Sequence, residues 1–503
     1  MSASKQIRVG ALLSYLSIAL NIVVGLLYTP WMEEQIGQSD FGLYTLANSL
    51  ITMFLVDFGL SSAVSRYVAK YRAEGRQDKI DNFLGAVYRL YTAITVVILL
   101  ALVVVYFLLD IIYAKLTPTE LQRFKVIYLI SAAFAVISFP CVTFNGILNA
   151  YEKFIQLKLA DAVGRVLLVG ITVVALLMGY GLYALVTIHA TVALLLNVYR
   201  FIVIRKMLPV RVNLRYHDRS LYKDVFGFSL WVTVATLAQR LIFNITPTVL
   251  GHVSSSAHIA VFGIVVTIEG YAYTFTSALN GMFMPKISRI YQEEDAEQRL
   301  MPLMLRVGRF QFALNGLIVA GFACVGYSFI NLWMGPEYLD AYAGILLVLI
   351  PGLFFNSLEI ANTALVVQKK VKLQAIVTLV TGLVSVSLSL ILSSLLGVFG
   401  ACLAICAAYT LRAIALNIIY YKLLNLDILL FIKQCYLRMG IPVLLTALAG
   451  LGINRLLADA GWGVLIAKGG IVVVIYLALT ALIGLSRQER CDMIGKIKQK
   501  LSK

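Results

Sequence analysis

Charged residues are scarce in this 503-residue chain, where they make up 13% of the sequence, about half of their usual share in soluble proteins. The six cysteines show no CxxC spacing, and the four histidines, at positions 189, 217, 252 and 258, form no ligand set. Walker A and HExxH motifs are missing as well. These absences argue against an enzyme and against a bound metal or cofactor, and they leave H⁺ or Na⁺ as candidates for a coupled ion.

Apolar residues, by contrast, make up 60% of the chain, and its mean hydropathy is +0.88. About fourteen apolar stretches are long enough to cross roughly 30 Å of hydrocarbon as a helix. The sequence therefore predicts an all-α integral membrane protein with about 14 transmembrane helices. We number these predicted spans 1 to 14: 9–30, 41–64, 83–109, 123–149, 156–178, 181–204, 225–250, 257–282, 308–333, 342–367, 373–395, 399–421, 437–454 and 463–485.

The net charge of +17 reflects where the basic residues lie between these spans. Most of them fall in alternate loops, in clusters at 66–79, 200–223, 286–309, 369–372, 422–438 and 487–503. The positive-inside rule places these loops and both termini in the cytoplasm. Membrane topology thus explains the basic balance, and no nucleic acid is expected as a partner.

An internal repeat relates the two halves of the chain at an offset of about 217 to 220 residues, with Pro30 matching Pro247 and Asn145 matching Asn362. Because each repeat holds six predicted spans, both insert in the same orientation, as in parallel-repeat transporters. Two pseudo-symmetric lobes plus two C-terminal helices are therefore expected. The predicted domains are an N-lobe at 1–207, a cytoplasmic basic linker at 208–224, a C-lobe at 225–424, spans 13 and 14 at 425–486, and a cytoplasmic basic tail at 487–503.

Three of the prolines within the predicted spans are Pro140, Pro247 and Pro351. The missing N–H of a proline leaves a backbone carbonyl without its helical partner, and inside a bilayer that carbonyl needs a neighbour or water. These positions are predicted as bends, with a passive kink as the alternative to a functional one.

Charged side chains at bilayer depth are the first candidates for a site, because their burial is costly unless they face a cavity or one another. Arg240 in span 7 and Glu269 in span 8 lie nearest the middle of their spans, on helices expected beside the cleft between the lobes. A guanidinium fork suits a phosphate or pyrophosphate. The alternative is that Arg240 and Glu269 pair with each other and join the two spans.

Five further charged residues within the predicted spans are candidates for a site. Asp161 and Arg165 in span 5 are one helical turn apart, so they either contact a ligand or pair with each other. Asp57, Glu359 and Arg412 lie in the cytoplasmic halves of spans 2, 10 and 12, where a carboxylate can bind a proton or Na⁺ or contact interfacial water. The candidate coupling or cavity carboxylates are Glu269, Asp57, Glu359 and Asp161.

Predicted spans 1, 7 and 8 are amphipathic, and their polar side chains would be costly in contact with lipid. They predict either the lining of a cavity or hydrogen bonds between helices. The residues assigned to this group are Asn21, Gln239, Asn244 and Asn280.

Several short motifs resemble those of a known family. They are GQSDFGLYTL at 37–46, DFGL at 57–60, AVSRYVAKY at 63–71 and NGILNAYEK at 145–153. These stretches are similar to the Wzx-like oligosaccharide flippases, the polysaccharide transport branch of the MOP/MATE-like exporter superfamily. Two six-helix lobes plus two helices extend the resemblance over the whole chain.

The resemblance implies a flippase that moves a polyprenyl-pyrophosphate-linked oligosaccharide across the bacterial plasma membrane by alternating access, for cell-surface polysaccharide biosynthesis. In that family, cationic cavity residues hold the pyrophosphate and glycan, which implies this role for Arg240, Arg165 and Arg412. The implied partners are the lipid-linked oligosaccharide, membrane lipids, a polysaccharide polymerase and glycosyltransferases.

Three alternatives remain open at this point. A MATE-type cation-coupled drug antiporter would share the two lobes but would end after twelve helices. A lipid II flippase would carry charges in span 1, which has none between Val9 and Pro30. A membrane-embedded polymerase or glycosyltransferase would need a large outer loop or an acidic catalytic motif at the membrane face, and the sequence has neither.

Overall fold

The computed structural model describes residues 3–55, 57, 59–216, 219–277, 283–293, 295–368, 370–457 and 461–484. All regular secondary structure in these residues is helical. Asn280 and the predicted tail at 487–503 lie outside the described residues.

The α-helices follow one another with short connections, and brief 3₁₀ or π-helical turns occur at Phe139–Val142, Pro336–Tyr338, Ile432–Leu437 and Thr480–Gly484. In chain order the helices are α1 (Ala3–Ile36), α2 (Gln38–Phe54), α3 (Leu60–Ala73), α4 (Gln77–Ile112), α5 (Pro118–Ser138), α6 (Thr143–Ala150), α7 (Phe154–Leu177), α8 (Leu182–Met207), α9 (Arg219–Phe243), α10 (Thr246–Val253), α11 (Ser256–Ser277), α12 (Met284–Ile290), α13 (Ala296–Trp333), α14 (Asp340–Asn356), α15 (Glu359–Val367), α16 (Val371–Leu424), α17 (Ile428–Phe431), α18 (Arg438–Leu456) and α19 (Trp462–Leu479).

Within the described residues, nine helices are long and apolar enough to cross a membrane, or ten when the bent pair α14 and α15 counts as one span. A helix satisfies its backbone hydrogen bonds internally, which is what a bilayer without water requires. The prediction of an all-α, multi-pass membrane protein is confirmed, whereas the number of 14 spans stays a prediction.

Predicted span 2 (41–64) is not one continuous helix. α2 ends at Phe54, and α3 begins at Leu60, directly after Gly59 with a left-handed backbone (φ 66°). Glycine adopts this conformation without the steric cost that a Cβ would add, so the break is encoded locally. Asp57 therefore lies in the break and not, as predicted, within a helix.

Two of the three predicted proline bends coincide with breaks. Pro140 lies in the 3₁₀ turn between α5 and α6, and Pro247 lies in the first turn of α10, after α9 has ended. Pro351 lies inside α14, and the bend of 53° follows it, between Asn356 and Glu359. For this third proline the predicted position of the bend was wrong by about a turn and a half.

The predicted loop between spans 11 and 12 is a sharp kink. α16 has 54 residues, more than twice the roughly 20 that one crossing needs, and Gly397 within it is non-helical (φ 56°, ψ −131°). α16 thus consists of two helical segments that correspond to the two predicted spans.

The chain packs into two compact units. The first unit comprises Met1–Leu26, Ile264–Leu373 and Cys402–Lys503, and the second comprises Leu27–Gly263 and Gln374–Ala401. Each unit draws on both halves of the sequence, so their limits differ from those of the predicted lobes. The lobe boundaries stay a prediction.

In the second unit, α5 packs against α2, α4 and α8, α7 packs against α8, and α3 packs against α6. Glycine permits a close approach between α2 and the start of α11: a Cβ on Gly42 would lie only 2.1 Å from the carbonyl oxygen of Ser256. The packing of this unit therefore depends on the missing side chain at position 42.

In the first unit, the long helix α13 packs against α14, α15, α18 and α19. α12 packs against α15, at the positions of the repeat that α3 and α6 occupy in the second unit. The same pairing of short helices occurs inside each unit, which supports the internal repeat read from the sequence.

A matched pair of glycine substitutions tests this packing. Gly42→Ala should lower the thermal unfolding temperature by several degrees or abolish folding, because its Cβ would overlap the Ser256 carbonyl oxygen. Gly170→Ala in α7 should leave that temperature unchanged or slightly higher, since no atom lies within 4 Å of its Cβ position and alanine favours a helix. Size-exclusion chromatography after heating in detergent measures both, and equal behaviour of the two variants would contradict the close approach.

Candidate functional site

Three of the predicted site charges converge on one tyrosine in the first unit. The carboxylates of Glu269 and Glu359 and the guanidinium of Arg412 all lie close enough to Tyr273 to act on it electrostatically. Glu269 and Tyr273 are one turn apart on α11, Glu359 is the first residue of α15, and Arg412 lies in the second segment of α16. We call these four residues the Tyr273 cluster.

Aromatic rings hold the guanidinium of this cluster. Arg412 is 6% exposed, and its Cζ lies 4.5 Å from the ring centre of Phe355 and 5.9 Å from that of Tyr409. These two rings contact each other edge to face at 6.0 Å. Rings stabilise a buried cation through their faces, so Phe355 and Tyr409 lower the cost of burying the charge of Arg412.

Glu359 lies where α14 and α15 meet at an angle of 53°, and it is half-buried. Its Oε1 accepts a hydrogen bond of 3.4 Å from Thr363 Oγ1, one turn on in α15. A carboxylate in the first turn of a helix is also favoured by the helix dipole. Nearby, Tyr420 donates to Asn362 Oδ1 at 2.5 Å, which ties α15 to α16.

Arg240, the strongest candidate from the sequence, belongs to the second unit and not to the Tyr273 cluster. It is half-buried near the end of α9, where its carbonyl accepts a 2.8 Å hydrogen bond from Asn244 N. Its Nη1 is buried and has no hydrogen-bond partner among the described residues. The predicted pairing of Arg240 with Glu269 stays a prediction.

Asp161 pairs with a different arginine from the one expected. Its Oδ1 accepts a hydrogen bond of 2.9 Å from Arg200 Nη2, which links α7 to α8, so the alternative of an Asp161–Arg165 couple within one helix was wrong. Arg165 is exposed, and its charge acts on Tyr44 and His189. The physical reason is that α8 packs along α7 and brings a second arginine to Asp161.

Asp57 caps a helix rather than facing open space. Its carboxylate accepts hydrogen bonds from Tyr91 Oη at 2.7 Å and from the backbone N–H of Ser61 at 3.2 Å. An aspartate in this position satisfies one of the free N–H groups at a helix start. The geometry favours this capping role, and its coupling role stays a prediction.

The predicted cavity-lining residues that the structure describes are distributed over both units. Asn21 on α1 is exposed, and Gln239 on α9 and Asn244 between α9 and α10 are half-buried. Asn280 lies outside the described residues, so its role stays a prediction. Among the described residues, no group of three or more His, Cys, Asp or Glu side chains is arranged to hold a metal ion.

The sequence reasoning missed a cluster at the ends of helices α2, α5 and α11. Ser39 and Ser256 both donate to Glu120 Oε1, Ser39 at 2.6 Å, and their own Oγ atoms lie 3.3 Å apart. The two serines are separated by 217 residues, the repeat offset, so the repeat itself was the signal that could have identified this contact. We call these three residues the serine clasp.

Two more hydrogen bonds join a residue of one repeat to a residue of the other. Tyr113 donates to Thr248 Oγ1 at 3.2 Å within the second unit, and Trp333 Nε1 donates to the carbonyl oxygen of Leu26 at 2.6 Å within the first unit. In each unit an aromatic residue at the end of a long helix, α4 or α13, thus binds the first span of the other repeat. By the predicted topology these contacts and the serine clasp lie at the outer face.

Comparison with known families decides the assignment. The family model described as polysaccharide biosynthesis protein matches residues 8–291, more than half of the chain. The chain belongs to this family. No match is found among curated proteins.

Solved structures with this fold are transporters and a flippase. Lipid II flippase MurJ in an inward closed conformation is similar with a TM-score of 0.74 and 15% identity, covering 94% of this chain and 98% of that chain. An inward-facing MATE family multidrug resistance transporter of the MOP superfamily has a TM-score of 0.67 and 14% identity, covering 80% of this chain and 95% of that chain. A MOP superfamily transporter from Pyrococcus furiosus has a TM-score of 0.51 and 15% identity, covering 80% of this chain and 91% of that chain. The predicted fold, that of the MOP-superfamily transporters, is confirmed.

Two substitutions at Asp57 test whether its hydrogen bonds or its negative charge stabilise the fold. Asp57→Asn keeps an oxygen that can accept from Tyr91 and Ser61 and should change stability little, whereas Asp57→Ala should lose about 1 to 3 kcal/mol because both donors lose their acceptor. Thermal unfolding of the purified variants in one detergent measures the difference. If the two variants were equally stable, the capping role would be wrong.

Proposed function

We propose that this protein is a flippase that moves a polyprenyl-pyrophosphate-linked oligosaccharide from the cytoplasmic to the outer leaflet of the bacterial plasma membrane by alternating access. Family membership supports the link to polysaccharide synthesis, and the shared fold supports translocation. The observation that carries the proposal is the Tyr273 cluster. It combines a buried guanidinium suited to an anionic headgroup with two carboxylates that can compete for it.

In this proposal Arg412 binds the pyrophosphate. Its guanidinium can donate to two oxygens at once, and the rings of Phe355 and Tyr409 fix its plane. Without substrate, Glu269 and Glu359 balance its charge from a distance. Binding of H⁺ or Na⁺ by these carboxylates would release the guanidinium to the substrate, which is how an ion gradient would be coupled to transport.

Arg240 and Arg165 are proposed as further contacts for the pyrophosphate or the glycan. The buried Nη1 of Arg240, which has no partner among the described residues, is an unsatisfied donor that costs about 1 to 3 kcal/mol, and an anionic ligand would satisfy it. Since Asp161 is bound to Arg200, the charge of Arg165 is not taken up by its neighbour on α7. Both arginines therefore retain donors for a ligand.

The fold alone also fits two other functions. A drug antiporter is the second candidate, because MATE transporters share the fold. Against it, the MATE structure covers 80% of this chain whereas MurJ covers 94%, and α18 and α19 follow the second repeat here. A lipid II flippase is the third, and the lack of charge between Val9 and Pro30 argues against that substrate.

The proposed setting follows from the charge pattern. Basic loops and both termini lie in the cytoplasm, where the substrate is assembled and where anionic headgroups attract lysine and arginine. Glycosyltransferases would supply the lipid-linked oligosaccharide, and a polysaccharide polymerase would use it after translocation.

Deletion of the gene tests the proposed function. Lipid-linked oligosaccharide should accumulate in the inner leaflet, and the wild-type gene should restore surface glycan. Arg412→Gln and Glu359→Gln should each reduce restoration at least about tenfold, because each removes one charge of the Tyr273 cluster. The readouts are the leaflet distribution of the lipid-linked oligosaccharide and surface glycan, at equal membrane levels of each variant.

Arg205→Gln is the matched control, since Arg205 is exposed at the end of α8 and should restore surface glycan like the wild type. Normal surface glycan in the deletion strain would refute the flippase. Drug sensitivity of that strain with unchanged glycan would favour the antiporter instead. Full restoration by both cluster variants would leave the flippase intact but remove the Tyr273 cluster from its mechanism.

The serine clasp tests alternating access. In a chain without native cysteines, Ser39→Cys with Ser256→Cys should form a disulfide under oxidation, because the two Oγ atoms lie 3.3 Å apart. The cross-link should reduce transport at least about tenfold, since the outer ends must separate to release the substrate, and a reductant should restore it. Undiminished transport by the cross-linked protein would show that these ends need not separate.

A further inference from the structure

A cavity of about 220 Å³ with a largely apolar lining and five polar side chains lies in the second unit, between α2, α5 and α8. It is separate from the Tyr273 cluster, and the proposed roles of the arginines do not use it. The polar side chains that line it are Tyr44, Asn48, Ser131, Ser138 and His189. Polar groups at bilayer depth are costly unless they are hydrogen-bonded, so we expect a polar ligand in this cavity.

The sequence builds this cavity from helical periodicity. Tyr44 and Asn48 are four residues apart on α2, and Ser131 and Ser138 are seven apart on α5, so each pair lies on one helix face. The walls between them are formed largely by small side chains: Ala47, Ala135, Ala190 and Ala193. Small residues leave room where larger ones would close the space between the three helices.

One wall contains a polar pair with a free donor or acceptor. Tyr44 Oη and His189 Nδ1 lie 3.0 Å apart, and the two rings meet edge to face at 5.5 Å. The other ring nitrogen, His189 Nε2, is buried without a hydrogen-bond partner among the described residues. A ligand group that can either donate or accept would satisfy it in both tautomers.

Charge determines which class of ligand fits. The described residues that line the cavity include no Asp, Glu, Lys or Arg, so an inorganic cation or a cationic drug would lack a counter-charge. The nearby charge of Arg165, which acts on both Tyr44 and His189, would repel such a cation further. The site therefore selects an uncharged ligand rich in hydroxyl groups.

Size narrows the class further. Drug-sized ligands occupy pockets of about 300 to 1,000 Å³, and this cavity of about 220 Å³ is smaller. A single sugar ring fits these dimensions. Its hydroxyl groups both donate and accept, as do the side chains of Tyr44, Asn48, Ser131, Ser138 and His189, and its C–H face would pack on Phe134, which also lines the cavity.

We propose that the cavity between α2, α5 and α8 is a subsite for one uncharged sugar ring of the transported glycan, an inference that rests on the proposed function. The pyrophosphate would be held by arginine side chains, while this subsite would recognise the sugar. It would then determine which glycans are transported, because a site of hydrogen-bonding groups discriminates strongly against a ligand that leaves them unpaired.

Binding of soluble sugars to the purified full chain tests the subsite without transport. The probes are methyl glycosides of neutral hexoses and of N-acetylhexosamines, with tetraphenylphosphonium as a cationic comparison, measured by saturation-transfer difference NMR. The wild type should give a signal with at least one glycoside and none with the cation. Ala190→Leu, which fills the cavity, should abolish the glycoside signal, and Tyr44→Phe, which removes only one hydroxyl group, should weaken it at least about fivefold.

Two matched controls should keep the wild-type signal: Ala162→Leu on the exposed face of α7 and Tyr183→Phe, whose side chain is 45% exposed. If Ala190→Leu does not fold, Tyr44→Phe and Tyr183→Phe decide the matter as a pair. No glycoside signal from the wild type, equal signals from wild type and Ala190→Leu, or a signal from the cation alone would overturn the subsite.

The deletion strain separates this inference from the proposed function. Ala190→Leu should fail to restore surface glycan, whereas Ala162→Leu should restore it. Full restoration by Ala190→Leu would refute the subsite and leave the flippase standing. Normal glycan in the deletion strain itself would refute the flippase, whatever the sugar-binding result.

Discussion

The structure depends on one constraint, which is that every backbone N–H and C=O within the bilayer needs a partner. Continuous helices meet it over most of the described chain, and where a helix breaks, a side chain takes over. Asp57, in the break of span 2, accepts from the backbone N–H of Ser61 at the start of α3. An ionisable group therefore lies at this break, because the backbone has to be satisfied locally there.

A second consequence concerns how the protein lowers the cost of burying charged side chains in the membrane. Asp161 and Arg200 neutralise each other across two helices, which leaves little field for a ligand. Arg412 is stabilised by the faces of Phe355 and Tyr409, which lower the cost of its burial. Buried charge is thus stabilised in two ways in this protein, by an ion pair between helices and by the contact of a cation with aromatic faces.

The sequence predicted the helical membrane fold and two of the proline breaks because hydropathy and proline act locally, and its short motifs predicted the family. It also named Glu269, Glu359 and Arg412, since a charge in an apolar run is visible without a structure. It could not show that the charges of these three residues act on Tyr273, because that depends on how α11, α15 and α16 pack. Asp161 shows the same limit: its spacing to Arg165 suggested a pair within α7, but the packing of α8 supplied Arg200. The cavity at His189 was missed because its polar groups are spread over three helices.

The repeat explains why the serine clasp is built as it is. Ser39 and Ser256 are equivalent positions of the two repeats, and they touch each other. Equivalent positions of a twofold repeat can touch only where the relating axis passes between them. One carboxylate beside that axis, Glu120, therefore accepts from both serines at once and joins the two repeats at their point of contact.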